Sequence, residues 1–161
     1  MNKLTKLFIT YISAITLALV SFSSSFAKVE GEYIVLGAAV SLTGKYSSNG
    51  VHTQNGYNLA VERINKMGGV EVGGKKYKFE IIYYDDESNS GRAAQLAERL
   101  IKQDGVKYML GPYSSGLTKA MAPVTEKYKI PMVEANGASR SLFTKGYKYL
   151  FAVLAPANLY L

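Results

Sequence analysis

The 161 residues contain no cysteine and no tryptophan, a single histidine and only four prolines. Without cysteine there is no disulfide framework, no thiolate ligand for zinc and no thiol nucleophile. One histidine excludes a multi-histidine metal centre. No glycine period and no heptad run is present, which removes collagen-like and coiled-coil architectures. What is present is ordinary for a globular chain: 48% hydrophobic residues and one domain's worth of length.

The first 27 residues read as an address. Lys3 and Lys6 precede an apolar run, residues 7–20, that is short for a membrane span, and small residues follow to Ser25-Phe26-Ala27. A signal peptide over 1–27, cleaved after Ala27, is expected, with the functional lobe over 28–161. No cysteine follows the cut to carry a lipid, so the expected destination is the periplasm, free of the membrane. Nineteen basic residues against twelve acidic ones give a net charge of +7. Only Lys75, Lys76 and Lys78 cluster, which reads as a solvated turn and gives no nucleic-acid signal.

The order of elements predicts an α/β fold. Residues 33–40 (YIVLGAAV) are the near-continuous apolar run of a strand buried on both faces. A helix is expected over 52–67, with Tyr57, Ala60, Val61, Ile64 and Met67 inward and Gly68-Gly69 as its stop. Residues 70–72 turn through Gly73-Gly74 into a second strand, 77–84. A helix from Ser88–Ser90 to about 103 buries Ala93, Leu96, Ala97, Leu100 and Ile101. A third strand (106–110), a helix (117–128, with Pro123 inside it) and strands at 130–134 and 149–154 follow, with a helical turn at 141–144. Alternation of this kind means right-handed βαβ units and an open, mainly parallel sheet with helices on both faces. The expected order is 2-1-3-4-5, with the switch point between the first and third strands. A ligand belongs outside the carboxyl ends of the strands at that switch. Loops 41–50, 111–116 and 135–140 should therefore share one crevice.

Ser114 and Ser115 stand where a helix begins. Unpaired amides and a partial positive charge favour an anion there, and a carboxylate fits; equally, one serine can simply cap the helix. Loop 135–140 combines small residues with the hydroxyl of Ser139, open also to reading as a plain turn. The ring of Tyr46 in the first loop is placed to cover a ligand. Three other motifs are set aside. Thr43-Gly44-Lys45 lacks the phosphate-loop pattern, having Ala39 and Tyr46 at the wrong places. Asp85-Asp86 reads as a solvated strand end, and His52 as a structural histidine without a partner. No catalytic set, metal site or cofactor site emerges, so an enzyme is not expected.

The stretches GAAVSLTGKYSSNG (37–50), NGYNLAVERINKMGGV (55–70), YYDDESNSGRAAQLAERLI (83–101), GPYSSGLTKAMAPVTEKYKIPMVEANGAS (111–139) and LFTKGYKYLF (142–151) carry a pattern. It resembles the first part of the periplasmic binding proteins of the leucine/isoleucine/valine type, the solute receptors of branched-chain amino-acid ABC importers. The resemblance implies an incomplete first lobe of a two-lobed protein with the type 1 fold. It implies that Tyr113, Ser114 and Ser115 hold the ligand's α-carboxylate. Asn136, Gly137, Ala138 and Ser139 would meet its head group, and Tyr46 would flank it. It further implies an inner-membrane ABC permease as partner of the full-length form. Family members are more than twice as long, so these 161 residues are expected to be an N-terminal fragment. An amide or urea receptor and a sensory ectodomain are alternatives on the same scaffold.

Overall fold

The computed structural model describes residues 29–160, so the leader expected at 1–27 lies outside the described residues. In chain order the strands are β1 (Val29–Glu30), β2 (Tyr33–Val40), β3 (Val70–Val72), β4 (Lys75–Asp85), β5 (Met109–Leu110), β6 (Met132–Glu134) and β7 (Leu150–Ala152). The helices are α1 (Ser47–Lys66), α2 (Ser90–Lys102) and α3 (Ser115–Tyr128), with short 3₁₀ turns at Arg140–Leu142 and Ala157–Leu159. The main path of the sheet runs β3-β4-β2-β5-β6-β7. Leaving aside the hairpin strand β3, this is the expected 2-1-3-4-5 order.

Strand β2 occupies the centre because its side chains tolerate burial on both faces. It pairs in parallel with β4 from Tyr33↔Lys78 to Val40↔Asp85. On its other edge, Gly37 and Ala38 pair with Met109 and Leu110 of β5. Gly37 is required by packing: a β-carbon there would lie 2.8 Å from the Met109 sulfur and 2.9 Å from a Val106 methyl. Val35 and Ala39 point to the face covered by α2 and α3. There, Ala93, Leu96, Ala97, Leu100 and Ile101 of α2 meet Leu117, Met121 and Ala122 of α3 in one apolar core. The inward stripe predicted for α2 is the observed one, and Asn89 caps it by accepting from the Arg92 amide at 3.0 Å. Gly73 and Gly74, at φ +60° and +78°, form the expected turn between β3 and β4.

Helix α1 lies against the opposite face, over β4 and β2. The Asn65 side chain clamps it there, donating to the Phe79 carbonyl and accepting from the Phe79 amide, both at 2.8 Å. Beside α1, Ile34, Leu36, Phe79, Leu110 and Val133 line an apolar groove of about 350 Å³.

Several expectations need correcting. Helix α1 begins at Ser47 rather than residue 52, and Ala60 and Met67 are exposed. Its seated stripe runs instead through Gly50, Thr53, Tyr57, Val61 and Ile64. The third, fourth and fifth expected strands shrink to two or three residues each, and β1, which pairs antiparallel with β2, was not foreseen. Pro123 sits inside α3 on its exposed side, so the bond it cannot make to the Lys119 carbonyl is lost where water replaces it.

Gly50 decides the seating of α1. A β-carbon there would stand 1.8 Å from the Ser41 carbonyl oxygen. Gly50→Ala is expected to cost at least about 1–3 kcal/mol, the range for overpacking, and to lower the melting temperature measured by circular dichroism. An unchanged melting temperature would mean that α1 does not lie on the end of β2 in this way.

Candidate functional site

Parallel pairing of β2 with β4 brings two acids level with the loop that leaves β2. Asp85 accepts from the Leu42 amide at 2.9 Å, the Thr43 hydroxyl at 2.7 Å and the Glu87 amide at 2.8 Å. Asp86 is fully buried, accepts from the Ser41 hydroxyl at 2.6 Å and from the Ser88 amide at 2.8 Å, and leaves Oδ2 unpartnered. Burial, the largest influence on both, pushes the Asp86 pKa up. At Asp85 the combined hydrogen bonds from Thr43, Glu87 and Leu42 outweigh burial, and the pKa falls. The expectation of a solvated strand end is therefore corrected: these carboxylates are the anchors of the first loop. Ser88 completes the anchoring, donating to the Thr43 carbonyl at 2.8 Å and accepting from the Tyr46 amide at 3.0 Å. Among the described residues no cluster of three or more His, Cys, Asp or Glu is placed to hold a metal ion.

The loop so held delivers Tyr46 to the crevice, where its ring meets that of Tyr113 edge to face at 5.6 Å between centroids. The turn after β5 then reaches Ser114 at φ +78°, ψ 143°, a region that costs a non-glycine residue about 1–3 kcal/mol. Ser114 caps α3: its hydroxyl accepts from the Leu117 amide at 3.3 Å, and its carbonyl from the Thr118 amide at 3.1 Å. Ser115, the first residue of α3, accepts from the Ser139 amide at 3.0 Å through its hydroxyl. The turns after β5 and β6 are thereby stapled on the same rim, with β2 and β5 side by side beneath them.

Glu134 shapes the loop after β6. Its carboxylate is fully buried and accepts from the amides of Asn136, at 3.1 Å, and Gly137, while Oε1 has no partner. Burial raises its pKa, and only the Gly137 and Asn136 amides oppose that rise. Gly137 is itself buried, because a β-carbon there would strike Glu134 and Leu142. The Ala138 carbonyl accepts from the Ala157 amide at 2.8 Å, and the Ser139 and Ser141 hydroxyls share a bond of 2.9 Å.

Between these turns and α1 lies a cleft of about 410 Å³. Tyr113, Ala135 and Asn136 line one side, and Asn49, His52, Thr53, Gly56 and Tyr57 the other. The Tyr57 hydroxyl donates to the Gly111 carbonyl at 2.7 Å, and burial drives its pKa well up. Of the expected site residues, Tyr113 and Asn136 line the cleft, Tyr46 abuts Tyr113, and Ser114, Ser115 and Ser139 form the rim. Gly137 and Ala138 serve the loop's own packing and bonding. The α1 wall, His52 included, was missed; its signal is the polar spacing 49, 52, 53, 56, 57 on one helical face.

A family model described as a periplasmic binding protein matches residues 33–158. The leucine-, isoleucine-, valine-, threonine- and alanine-binding protein of Pseudomonas aeruginosa is 26% identical over 143 residues, covering 89% of this chain and 36% of that protein. Among solved structures, the branched-chain amino acid transporter substrate binding protein LivJ of Streptococcus pneumoniae, in complex with isoleucine, superposes with a TM-score of 0.68. It shares 30% identity over 76% of this chain and 34% of its own. A solute binding protein of an ABC transporter from Rhodopseudomonas palustris, in complex with 3,4-dihydroxybenzoic acid, gives a TM-score of 0.65. It shares 27% identity over 78% of this chain and 32% of its own. The chain spans about a third of the length of the relatives it matches.

Because the folded pKa of Glu134 lies above the ordinary 4.5, its stabilising contribution is complete below that pH and is lost as pH rises through the raised value. Glu134→Gln is expected to flatten the fall in melting temperature from pH 4.5 to neutrality, leaving the part due to Asp86. Parallel pH profiles for the two proteins would show that Glu134 is not buried as described.

Proposed function

The chain belongs to the periplasmic binding protein family, and from that membership we propose that it is the first lobe of an extracytoplasmic solute receptor for an ABC importer of the branched-chain amino-acid type. It binds and does not catalyse. A small solute docks by its carboxylate at the start of α3, at the carboxyl ends of β2, β5 and β6. Its partner is the inner-membrane permease, which receives the solute from the complete two-lobed protein. Residues 1–27 direct it to the periplasm.

One observation carries this reading: among the described residues, each of the two serine hydroxyls at the rim accepts an amide and donates to no partner. Ser114 accepts from Leu117 and Ser115 accepts from Ser139. Each hydroxyl therefore has its proton left to donate. The amides of Ser115 and Gly116 lie in the first turn, ahead of the two amides that Ser114 satisfies. Hydroxyl and amide donors at a helix start make a site for a carboxylate. Tyr46 and Tyr113 shield one flank.

A second reading on the same carboxylate dock is a solute with no ammonium group. The Rhodopseudomonas palustris relative, solved with an aromatic acid, favours keeping it.

Calorimetry on the full-length protein tests the reading, with leucine, isoleucine, valine and simple carboxylates as titrants. Ser115→Ala removes one charge-assisted hydrogen bond, about 1.5–3 kcal/mol, so affinity is expected to fall about ten- to a hundredfold. Unchanged affinity would remove Ser115 from the site. For the leader, N-terminal sequencing of protein recovered from the periplasm is expected to begin at Lys28; a chain that still begins at Met1 would contradict cleavage.

A further inference from the structure

The segment that leaves β7 runs beside the loop after β6 and keeps the register of the sheet. The Val153 amide donates to the Glu134 carbonyl at 3.1 Å, continuing the ladder that pairs Glu134 with Ala152. The Ala157 amide then donates to the Ala138 carbonyl at 2.8 Å. Both bonds join residues at the same sequence offset, so the parallel alignment persists beyond the last paired strand residues. Between them the Glu134 carboxylate holds the Asn136 and Gly137 amides, which fixes the loop from its own side.

A single peptide unit stands between that segment and the serine rim. The carbonyl of the unit joining Ala138 to Ser139 accepts from Ala157, and the amide of the same unit donates to the Ser115 hydroxyl at 3.0 Å. The unit is trans and planar, with its C=O and N–H pointing in opposite directions, so neither bond can be re-aimed without turning the other. A carbonyl that accepts a hydrogen bond also polarises its unit and makes the N–H at the far end a stronger donor. Beyond Ser139 the chain is held by the turn Arg140–Leu142: the Leu142 amide donates to the Ser139 carbonyl at 3.0 Å, and Leu142 is buried in the core. Position 157 thus reaches position 115 through backbone groups alone.

We propose that Ala157 is a positioning residue for the anion seat: its amide, acting through the Ala138–Ser139 peptide, sets the direction in which the Ser115 hydroxyl points its proton. This rests on the carboxylate dock proposed above and adds a residue that serves it from a distance. With one acceptor position taken by the Ser139 amide, the Ser115 hydroxyl keeps its proton for the other side. Loosening the Ala157 bond lets the Ser139 amide swing, and the hydroxyl then loses the donor that orients it. The coupling is reciprocal: a solute seated on Ser115 holds residues 153–157 to the loop in the same measure.

Ala157→Pro removes this one donor and little else. Ala157 opens the turn Ala157–Leu159 and follows Pro156 at ψ 141°, so both positions accept a proline. The test is calorimetry on the full-length protein with leucine, isoleucine, valine and benzoate, for Ala157→Pro, Ser115→Ala and the double variant. Melting temperatures and the exchange of the Ser139 amide, followed by NMR, accompany it. Ala157→Pro is expected to lower affinity about three- to tenfold, the effect of one hydrogen bond, with an unchanged melting temperature and faster Ser139 exchange. In the Ser115→Ala background the same change is expected to lower affinity less than about twofold. An equal loss in both backgrounds overturns the proposal, because Ala157 then acts on the loop and not through the hydroxyl. Affinity or Ser139 exchange untouched by Ala157→Pro overturns it too; in either case the dock stands if Ser115→Ala alone weakens binding. Affinity untouched by Ser115→Ala, or no binding of any of the four solutes by the unmodified protein, overturns the dock and this proposal together.

Discussion

The hydrogen bonds that tie residues 41–43 to the carboxylates ending β4 are what the crevice rests on. They exist because β2 and β4 pair in parallel and in full register, so that Asp85 pairs with Val40 just as the first loop departs. From that anchor the loop reaches Tyr46, and the Ser88 hydroxyl holds the Tyr46 amide where α1 starts. Gly50 then lets the helix close onto the Ser41 carbonyl. Lengthening or slipping either strand by one residue would carry the acids away from the loop and release both the aromatic flank and the polar wall. The two neighbouring acids share this work unequally. Asp85 keeps its charge because several donors surround it, whereas Asp86 lies buried with one oxygen unmatched, a local cost set against the order it imposes.

The rim follows a related logic. Each group at the rim is oriented by a contact already made within the protein: Ser114 by its cap, Ser115 by the Ser139 amide, the loop after β6 by Glu134. Donors held this way would pay little ordering entropy in the docking proposed above. The left-handed backbone at Ser114 and the buried carboxylate of Glu134 are unfavourable locally, and both stand beside the crevice rather than in the apolar core. Strain and unmatched polarity stand here where the chain fixes its loops.

Much of this architecture is legible in the residues. YIVLGAAV reads as a central strand because burial on both faces demands continuous apolarity, and β2 has those limits. The core face of α2 is legible residue by residue, because Ala93, Leu96, Ala97, Leu100 and Ile101 follow the helical period and nothing competes with it. The start of α1 is not, because Ser47-Ser48-Asn49-Gly50 is loop composition, made helical by a tertiary contact at Gly50 and a long-range bond to Tyr46. β1 is too short to carry a period. Asp85 and Asp86 look solvated in isolation, since the first-loop groups they anchor are 42 to 45 residues away. Ser114 and Ser115 stand at the head of α3, where the residues put a helix start, and loop position brings Tyr113 and Asn136 to the cleft. The α1 wall escapes because a polar stripe on an amphipathic helix ordinarily means exposure to solvent. Only the fold shows that this stripe faces a cleft.

The bond between the Ser139 amide and the Ser115 hydroxyl has an evolutionary consequence. A single oxygen serves as staple between two turns and, in the function proposed above, as part of the anion's seat, so drift at position 115 would disturb the loop carrying Asn136 as well as that seat. Replacements on the two turns should therefore be epistatic, tolerated in matched pairs and penalised singly. On the α1 wall the Tyr57 hydroxyl is tied likewise to the Gly111 carbonyl, so drift is freest at the exposed Asn49, His52 and Gly56, while the serine rim stays fixed.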